Sequence, residues 1–474
     1  MLIASLCQIM LNNRRVFSGQ STGNLQGIIM AQSDHDSLRS SKAAALAGNI
    51  DVPGDKSISH RALILGSLAI GRTHISGLLE GADVLATKDA LVALGVPIVK
   101  TDDGDWQVDG VGMHGMVAPK APLDLGNSGT GVRLLMGVVA GQNITAIFTG
   151  DASLSSRPMA RITTPLAAMG ASVTSREGRL PVTVSGTATP RAQQHISTVA
   201  SAQIKSAILL AGLNARGTTE IIEPHASRDH SESMLRHFGA TVTQTIDDTG
   251  QHLVTLAGEA TLYAAPVIVP RDPSSAAFAV VAALITPGSN IVIPGIGMNP
   301  LRTGLLDTLV EMGGNITRHN ERQEGGEKVA DLHVKFSPLH GITVPAARAA
   351  SMIDEYPILS VAAATASGTT TMLGVAELRV KETDRIKVMA EGLEKCGVSV
   401  TYDDDSMQVT GGSIAGGVTI AAQHDHRIGM SFLTLGLVAD QPITVTGCAT
   451  IETSFPGFAS GMSKLGANIS GVSA

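Results

Sequence analysis

The feature that most constrains this chain is a phrase that recurs six times along it. In each copy a helical stretch ends at a glycine and is followed by β-branched residues, a polar turn and a second strand. The six copies lie at Leu94-Gly95, Met169-Gly170, Phe238-Gly239, Met312-Gly313, Cys396-Gly397 and Leu465-Gly466. They recur at intervals of roughly 70 to 85 residues, enough for one supersecondary unit each. A glycine at this place indicates a left-handed residue after the helix, a conformation that costs other residues about 1 kcal/mol or more.

A second pattern lies upstream of each glycine: an apolar helix of small residues, then Gly and a strand rich in Thr or Ile. Clear copies are the helices Ser57–Ala69, Ala202–Leu213 and Ser274–Leu284 with the strands Arg72–Ile75, Thr218–Ile222 and Asn290–Ile293. Hairpins are expected after the repeat glycines, for example at 171–186 and 398–411. Each unit is therefore predicted as helix, strand, helix, strand, strand, and the fold class is α/β.

A chain of 474 residues exceeds one ordinary hydrophobic core, so we expect two domains of three units each. Two similar stretches, Val-Pro-Gly-Asp-Lys-Ser at 52–57 and Val-Pro-Arg-Asp-Pro-Ser at 269–274, lie where the chain should enter one domain and cross to the other. The predicted first domain is 55–272, and the second combines 49–54 with 273–474. The two crossings would form a hinge, which suits an enzyme that must exclude water before it reacts.

The first 48 residues differ from the rest of the chain. The apolar stretch 1–10 precedes Arg14 and Arg15, whereas a signal peptide places positive charge before its apolar run. A transit peptide and a natural start at Met30 stay open, and we expect 1–48 to be an N-terminal extension that is disordered at least in part. The segment Ala47–Val52 is expected to supply a closing strand for the last unit, which lacks a full hairpin.

Composition argues against several classes of function. Aromatic residues are 3% of the chain and its formal net charge is −7, which disfavours a nucleic-acid groove. Cys7, Cys396 and Cys448 have neither metal-ligand nor disulfide spacing, as fits a reducing compartment. The longest apolar runs, such as Ala276–Ile285 and Ser431–Ala439, are too short to span a bilayer. We therefore expect a cytoplasmic protein without nucleic-acid, membrane or metal partners.

Basic residues cluster at the predicted starts of repeat helices. Lys56 and Ser57 open one helix, and Arg61 lies one turn from Ser57 on the same face. Free N–H groups and the helix dipole favour an anion there, but an N-cap serine with solvated neighbours explains the pattern equally well. The segment Gly126–Arg133 resembles a phosphate loop without its lysine, or is simply a tight turn. Arg157, followed four residues later by a second arginine, suits a phosphate or carboxylate.

Polar residues stand at one further helix start and in a charged segment beyond it. Capping accounts fully for Ser201, but it does not account for Gln203 at the head of an apolar helix. In the segment Arg228-Asp229-His230, a surface ion pair is the simplest interpretation of Asp229 and His230.

The second predicted domain supplies acids. Asp354 stands at a predicted helix start and could be an ordinary N-cap. Lys381, Glu382 and Arg385 could be an exposed helical cluster, worth a few tenths of a kcal/mol per pair. The segment 424–427, His-Asp-His-Arg, lacks a helical pair of histidine ligands, so we take its arginine as the functional residue. Jointly, cations from both domains at matching repeat positions predict one cleft for two anionic substrates.

These motifs closely resemble those of the 5-enolpyruvylshikimate-3-phosphate (EPSP) synthase family, from about Gly48 to the end of the chain. The matching stretches are VPGDKSISHRA, LDLGNSGTGVR, GDASLSSRPM, ASAQIKSAILLAGL, SRDHSE, DPSSAAF, MIDEYPIL, LRVKETDR, HDHRIGMSF and ETSFPGF. The pattern resembles the class II, glyphosate-tolerant bacterial branch. The resemblance implies a two-domain inside-out α/β barrel with three βαβαββ repeats per domain. It also implies transfer of the enolpyruvyl group of phosphoenolpyruvate to the 5-hydroxyl of shikimate 3-phosphate, with release of phosphate and no cofactor, by a monomer.

The resemblance further implies a role for each matching residue. Asp354 would accept the proton of the 5-hydroxyl, and Glu382 would lie near the methylene carbon. Expected contacts of shikimate 3-phosphate are Lys56, Ser57, Arg61, Ser201, Ala202, Gln203, Arg228, Asp354 and Lys381. Expected contacts of phosphoenolpyruvate are Lys56, Gly129, Arg157, Gln203, Arg385 and Arg427. Two carboxyls with separated pKa values suit a reaction in which one group accepts a proton and another donates one.

Two positions depart from the family pattern. Gly129 stands where the tolerant branch has alanine, so we expect stronger inhibition by glyphosate than that branch shows. The segment 453–456, Thr-Ser-Phe-Pro, lacks the lysine that the sensitive branch has in the corresponding motif, and no substrate contact is assigned there.

Two rival functions stay open. The sister enzyme that transfers enolpyruvyl to UDP-N-acetylglucosamine shares the fold but uses a cysteine in a mobile loop. The segment 150–161 contains no cysteine, and Cys396 is most simply a small core residue. The second rival is a non-catalytic anion binder, which would gain nothing from Asp354 and Glu382 beside its ligand.

Overall fold

The computed structural model describes residues 36–472. Its α-helices are α1 (Lys56–Leu68), α2 (Ala82–Ala93), α3 (Gly129–Ala140), α4 (Ala152–Ser156), α5 (Ala160–Ala168), α6 (Ala202–Gly212), α7 (His230–His237), α8 (Pro273–Ile285), α9 (Gly304–Glu311), α10 (Ala349–Met352), α11 (Tyr356–Thr365), α12 (Arg385–Lys395), α13 (His426–Leu435) and α14 (Phe458–Lys464). Short 3₁₀ helices lie at Ala346–Arg348, Ala376–Val380 and Cys448–Thr453.

The strands of the same region are short and evenly spread along the chain. They are β1 (Ser37–Ser41), β2 (Ala47–Asn49), β3 (Ile70–Ser76), β4 (Ile98–Lys100), β5 (Trp106–Val111), β6 (Leu123–Asp124), β7 (Thr145–Thr149), β8 (Ser172–Arg176), β9 (Arg179–Ser185), β10 (Gln194–Ile196), β11 (Thr218–Glu223), β12 (Val242–Ile246), β13 (His252–Ala257), β14 (Val267–Ile268), β15 (Asn290–Gly297), β16 (Asn315–Glu324), β17 (Glu327–Lys335), β18 (Thr343–Val344), β19 (Thr369–Leu373), β20 (Ser399–Tyr402), β21 (Ser406–Thr410), β22 (Thr419–Ala421), β23 (Ile443–Thr446) and β24 (Asn468–Gly471).

These strands form six four-stranded sheets that share one pattern. Their strand orders are β14-β3-β5-β4, β6-β7-β9-β8, β10-β11-β13-β12, β2-β15-β17-β16, β18-β19-β21-β20 and β22-β23-β1-β24. In each sheet the first strand is parallel to the second, and the other pairs are antiparallel. A parallel pair needs a crossover helix and an antiparallel pair only a turn, so this order is that of a βαβαββ unit. The predicted α/β class with six repeats is confirmed.

The glycine at the end of each repeat helix has the predicted backbone. The six residues Gly95, Gly170, Gly239, Gly313, Gly397 and Gly466 have φ angles between +88° and +109°. A side chain with Cβ is disfavoured in this left-handed region, so glycine ends each helix and turns the chain into the following strand.

Three sheets take a strand from a distant part of the chain. The sheet of β3 is completed by β14, the sheet of β15 by β2, and the last sheet by β1, which lies between β23 and β24. The expectation that Ala47–Val52 closes the last unit is therefore wrong: β1 at Ser37–Ser41 closes it, and β2 joins the fourth unit instead. Of the predicted extension 1–48, residues 1–35 lie outside the described residues, while the remainder contributes these two strands.

The apolar residues form two hydrophobic cores. One extends from Ile58 to Val269, and the other combines Leu46–Val52 with residues from Ala276 to Ile469. Buried helices fill each core, and small residues allow them to approach closely: a Cβ on Gly137 of α3 would lie 2.4 Å from the carbonyl oxygen of Ala207 in α6. The limits of the cores lie near the predicted domain boundaries, and the division into two hinged domains stays a prediction. We refer below to the two cores with their sheets as the first and second halves.

Within residues 36–472, no helix has both the length and the apolar character needed to cross a lipid bilayer.

Candidate active site

A cavity of about 650 Å³ lies between the two halves. Five helices point their first residues into it: Lys56 of α1, Gly129 of α3, Ala202 of α6, Arg385 of α12 and His426 of α13. Unpaired N–H groups and the positive end of the helix dipole therefore converge on this space. For α1, α3, α6 and α13 the convergence follows from the repeat, because each is the first helix of its unit, whereas α12 is the second helix of its unit.

The cavity wall carries an excess of positive charge. Ten basic residues line it, namely Lys56, Arg61, Arg133, Arg157, Arg161, Arg228, Arg302, Lys381, Arg385 and Arg427. Five acidic residues line it, namely Asp83, Asp272, Asp354, Glu377 and Glu382. A formal excess of five positive charges in a space partly closed to water attracts anions, although the chain as a whole is acidic. All fourteen residues predicted for the site line this cavity.

Lys56 connects the two halves at one end of the cavity. Its Nζ lies 3.0 Å from Oδ2 of Asp83 and donates to Oγ of Ser454 at 2.9 Å. The N-cap of its helix is Asp55, whose Oδ1 accepts from the backbone N–H of Ile58 at 2.9 Å. Ser454 belongs to the segment 453–456, where the sensitive branch of the family that the motifs resemble has a lysine. In this chain the segment instead accepts a hydrogen bond from a lysine.

Arg61 is held by hydroxyl and carbonyl groups of the first half. Nη1 donates to the carbonyl oxygen of Ser57 at 2.8 Å, Nη2 to Oγ of Ser206 at 2.7 Å and Nε to Oγ of Ser231 at 2.7 Å. Burial lowers the pKa of Arg61 to about 10, despite the opposing field of Glu232. The guanidinium therefore remains a cation at neutral pH, placed one turn below Ser57.

The glycine-rich loop brings together a cluster that includes an arginine our sequence analysis did not assign. Arg133 Nη1 donates to the carbonyl oxygen of Gly129 at 3.1 Å and to Oε1 of Gln203 at 3.0 Å. The amide of Gln203 in turn donates to Oγ1 of Thr130 at 3.0 Å, which explains a polar residue at the head of an apolar helix. Burial, with the nearby charge of Arg157, lowers the pKa of Arg133 to about 10. The sequence feature that could have identified Arg133 is its position one helical turn after Gly129.

Asp354 is surrounded by basic side chains from both halves. Its Oδ2 accepts from Arg228 at 2.7 Å, and its Oδ1 lies 3.3 Å from Lys381 Nζ and 3.4 Å from Arg385 Nη1. Burial alone would raise its pKa, but Lys381, Arg228, Arg427 and Arg385 together hold it well below its usual range. Asp354 makes no N-cap contact, so the capping interpretation is wrong and the side chain is an ionised carboxylate inside the cavity.

Glu382 faces the same space from the segment just before α12. Arg385 Nη2 donates to its Oε2 at 2.5 Å, and Arg157 Nη1 lies 3.7 Å from its Oε1 across the cavity. Burial opposes ionisation, but Arg385 and other nearby cations lower the pKa of Glu382 well below its usual range. Arg385 also donates through Nε to Asp425 at 2.8 Å and is 1% exposed, so the interpretation of these residues as an exposed charge cluster is wrong.

The predicted surface pair at Asp229 and His230 is also wrong. His230 is buried, and its Nδ1 lies 2.9 Å from Oε1 of Glu327 in the second half. Asp229 accepts from Nδ2 of Asn299 at 2.7 Å. Both contacts join the halves beside Arg228, and neither could be inferred from sequence because each partner lies about 70 residues or more away.

The histidines of the segment 424–427 do not form a metal site in the described part of the chain, where no cluster of three or more suitable ligands occurs. His426 is buried, and desolvation lowers its pKa well below the usual range. Arg427 Nη1 donates to the carbonyl oxygen of Asp354 at 3.0 Å. The arginine of this segment thus faces the cavity acids.

Comparison with known proteins decides the family. A sequence model of EPSP synthase (3-phosphoshikimate 1-carboxyvinyltransferase) matches residues 40–462. This chain belongs to the EPSP synthase family. A family member from Rhodospirillum rubrum is 57% identical over 440 residues, covering 91% of this chain and 98% of that protein. One from Paracoccus denitrificans is 56% identical over 430 residues, covering 90% and 97%.

Solved structures support the same family and the fold. The EPSP synthase of Acinetobacter baumannii is 44% identical with a TM-score of 0.82, over 92% of this chain and 99% of that one. The enolpyruvyl transferase NikO from Streptomyces tendae has a TM-score of 0.72 at 17% identity, over 92% and 98%, which shows the shared fold alone. The α/β fold implied by the motifs is thus the enolpyruvyl transferase fold.

Proposed function

We propose that this cavity binds phosphoenolpyruvate and shikimate 3-phosphate side by side and catalyses the reaction between them. The enzyme transfers the enolpyruvyl group to the 5-hydroxyl of shikimate 3-phosphate and releases phosphate. One observation carries the assignment to this site: two carboxylates, Asp354 and Glu382, face one cavity whose wall otherwise has a large excess of cations. Each substrate brings a phosphate of about −2 and a carboxylate of about −1 at neutral pH, so the excess of positive charge offsets most of the charge of the pair.

Both halves contribute contacts to each substrate. For shikimate 3-phosphate we assign contacts mostly to the first half: Lys56, Ser57, Arg61, Ser201, Ala202, Gln203 and Arg228, with Asp354 and Lys381 opposite. For phosphoenolpyruvate we assign Lys56, Gly129, Arg157, Gln203, Arg385 and Arg427, and we add Arg133 because it lies between Gly129 and Gln203. Opposed arginines can hold a phosphate and a carboxylate by paired hydrogen bonds, which fixes the reacting carbon against the hydroxyl.

The chemistry needs one proton acceptor and one donor. As the 5-hydroxyl oxygen attacks C2, its proton passes to Asp354 and C3 takes a proton from Glu382. The resulting tetrahedral intermediate then returns a proton from C3 to Glu382 as the bond between C2 and the phosphate oxygen breaks, and the leaving phosphate takes the proton held by Asp354, so both carboxyls regain their starting states. Asp354 is ionised and therefore ready to act as the base.

Glu382 must first gain a proton, and substrate binding provides the reason. In the absence of substrate, Arg385 and Arg157 hold its pKa low. When phosphoenolpyruvate takes these arginines as partners, their charge is neutralised and the pKa of Glu382 rises. Binding of phosphoenolpyruvate thus raises the pKa of the group that will protonate it.

The rival functions make different predictions. Cys396 is buried, and desolvation raises its pKa to about 11, so it has none of the character of a nucleophile. An anion binder without catalysis would not place two carboxylates among the cations that hold its ligand. These facts favour the shikimate reaction over both rivals.

A phosphate-release assay tests the proposal. The enzyme with phosphoenolpyruvate is given shikimate 3-phosphate, UDP-N-acetylglucosamine or no acceptor, and phosphate is followed with time. We expect release only with shikimate 3-phosphate. Release with the nucleotide sugar would indicate the sister activity, and no release with either acceptor would indicate a binder. We further expect a monomeric cytoplasmic enzyme, for which sedimentation velocity at assay concentration tests the oligomeric state.

A further inference from the structure

A buried arginine outside the assigned substrate contacts joins the two crossings between the halves. Arg302 stands at the end of the turn 298–302 after β15 and is 4% exposed. Its Nη1 donates to Oδ2 of Asp55 at 3.0 Å, and its Nη2 donates to Oδ1 of Asp272 at 2.9 Å. The planar guanidinium therefore bridges one residue of each crossing.

Asp55 and Asp272 are equivalent positions of the two similar stretches found in the sequence. Each caps a helix: Asp55 accepts from Ile58 N–H at the start of α1, and Asp272 accepts from Ser274 N–H at 2.9 Å at the start of α8. The crossings also exchange backbone hydrogen bonds. Asp55 N–H donates to the Pro270 carbonyl at 2.8 Å, and Asp272 N–H donates to the Pro53 carbonyl at 2.9 Å. Arg302 thus holds together the starts of two repeat helices, one from each half.

From this point hydrogen bonds lead into the second half of the cavity. Arg302 Nη2 also donates to Oγ of Ser274 at 2.7 Å, and that hydroxyl donates to Oε1 of Glu355. Glu355 lies 3.5 Å from Nη1 of Arg427, whose other contact is the carbonyl of Asp354. In the first half, Asp55 directly precedes Lys56. The guanidinium is therefore linked to Lys56 through Asp55 and to Arg427 through Ser274 and Glu355.

The same turn contacts the first half a second time. Asn299 donates to Asp229, which directly follows Arg228, a ligand of the Asp354 carboxylate. Two residues of one turn in the second half therefore fix the neighbours of Lys56 and Arg228 in the first.

We propose that Arg302 is a positioning residue, which sets the register of the two crossings so that Lys56 and Arg427 face one phosphoenolpyruvate. This inference rests on the proposed function of the cavity. A buried charge is a costly way to fill space, since a well-packed apolar residue is often as stabilising. Arg302 also leaves its Nε without a partner among the described residues, so its place is set by its two carboxylates and Ser274.

Two variants test the role. Arg302→Lys keeps a positive charge but loses the fork that reaches two carboxylates at once. Ser274→Ala removes only the hydroxyl between Arg302 and Glu355, and it keeps the backbone N–H that Asp272 caps. For both we expect KM for phosphoenolpyruvate to rise, by about tenfold or more for Arg302→Lys and about threefold or more for Ser274→Ala, because displaced binding groups lose productive geometry. Binding of shikimate 3-phosphate alone, measured calorimetrically, should change less than about threefold, because Lys56 is only one of its nine assigned contacts and Ser57, Arg61, Ser201, Ala202 and Gln203 all lie within the first half.

Arg318→Met is the matched control, since Arg318 pairs with Asp307 on the exposed surface of the same half. The thermal unfolding midpoint of every variant shows whether it is folded. Folded variants with the wild-type KM for phosphoenolpyruvate would overturn the inference, and so would an equal loss of binding for both substrates, which indicates a general structural role. A wild-type enzyme without turnover would contradict the proposed function instead.

Discussion

At the scale of single residues, the site is defined by carboxylates and guanidinium groups that neutralise one another until substrate arrives. Asp354 and Glu382 are both ionised because cations outweigh the effect of burial on their pKa. This ionisation does not follow from the residue type, since an isolated buried carboxyl would be neutral. Their chemistry therefore depends on Arg385, which contacts both.

We expect Asp354→Asn and Glu382→Gln to lower kcat by about 10² to 10⁴, the usual contribution of a positioned acid or base. Both variants keep shape while removing the proton transfer. Steady-state turnover with both substrates measures the effect, and Glu311→Gln, an acid paired with Arg348 away from the cavity, is the control. Full activity of Glu382→Gln would show that C3 receives its proton from another group.

Gly129 allows a second residue-scale prediction. A Cβ at this position would lie 2.8 Å from Nη1 of Arg133 and 3.0 Å from Nη1 of Arg157, so both guanidinium groups would have to move. We expect Gly129→Ala to raise the inhibition constant of glyphosate and KM for phosphoenolpyruvate by about tenfold or more, as one methyl group in a close-packed pocket can do.

Inhibition kinetics of wild type and Gly129→Ala measure this prediction. Gly412→Ala is the control, because a Cβ there meets no atom within 4 Å. Equal glyphosate inhibition of wild type and Gly129→Ala would remove the expectation of sensitivity.

At the scale of elements, helices α1, α3, α6 and α13 serve both the core and the cavity. Their bodies consist mainly of buried apolar and small residues, and their first residues line the cavity. In α1 every residue from Ile58 to Leu68 is buried, including His60, whose Nδ1 contacts Oγ1 of Thr87 at 2.8 Å. Buried polar groups on such a helix must remain neutral or find a partner.

His60 makes this requirement measurable as a pH dependence of stability. Burial lowers its pKa to about 3 from an ordinary 6.5. The unfolded chain gains a proton as the pH falls through 6.5, whereas the folded chain does not until about pH 3. Below pH 6.5 protonation of His60 therefore favours the unfolded chain, and the free energy of unfolding falls progressively as the pH falls toward 3. We expect His60→Asn to reduce the slope of unfolding free energy below pH 6 by about 1.4 kcal/mol per pH unit.

Urea unfolding between pH 7.5 and 5 measures that slope. His114→Asn, which replaces an exposed histidine, is the control. A slope identical to that of wild type in His60→Asn would mean that His60 takes up its proton in the folded protein.

At the scale of the whole molecule, the two strands at the start of the described chain complete sheets in the second half. Strand β1 lies between β23 and β24, more than 400 residues away in sequence, and β2 pairs with β15. The second half therefore cannot complete its sheets from its own continuous sequence. The crossings at Pro53 and Pro270 follow from this path, and they place Arg302 between two helix starts.

We expect Arg39→Pro to lower the free energy of unfolding by about 3 kcal/mol, because proline removes a ladder hydrogen bond from a central strand. Arg39 pairs with Thr444 on one side and Ser470 on the other, and its side chain is exposed, so little packing is lost. Arg39→Ala is the matched control and should change stability by about 0.5 kcal/mol or less. Equal stability of the two variants would show that β1 does not close the last sheet.

The sequence by itself determined the repeats, their glycine ends, the helices that begin at the cavity and, through the family motifs, the fourteen candidate site residues. These features depend on local backbone preference and on short motifs, which are visible in a single stretch of chain. Only the tertiary structure decided that Asp229, His230 and Arg385 take partners in buried contacts, that Arg133 and Arg302 face the cavity, and that β1 rather than the neighbourhood of β2 closes the last sheet. Each of these depends on a partner far away in sequence, and a contact of that kind leaves no periodic trace in the residues that make it.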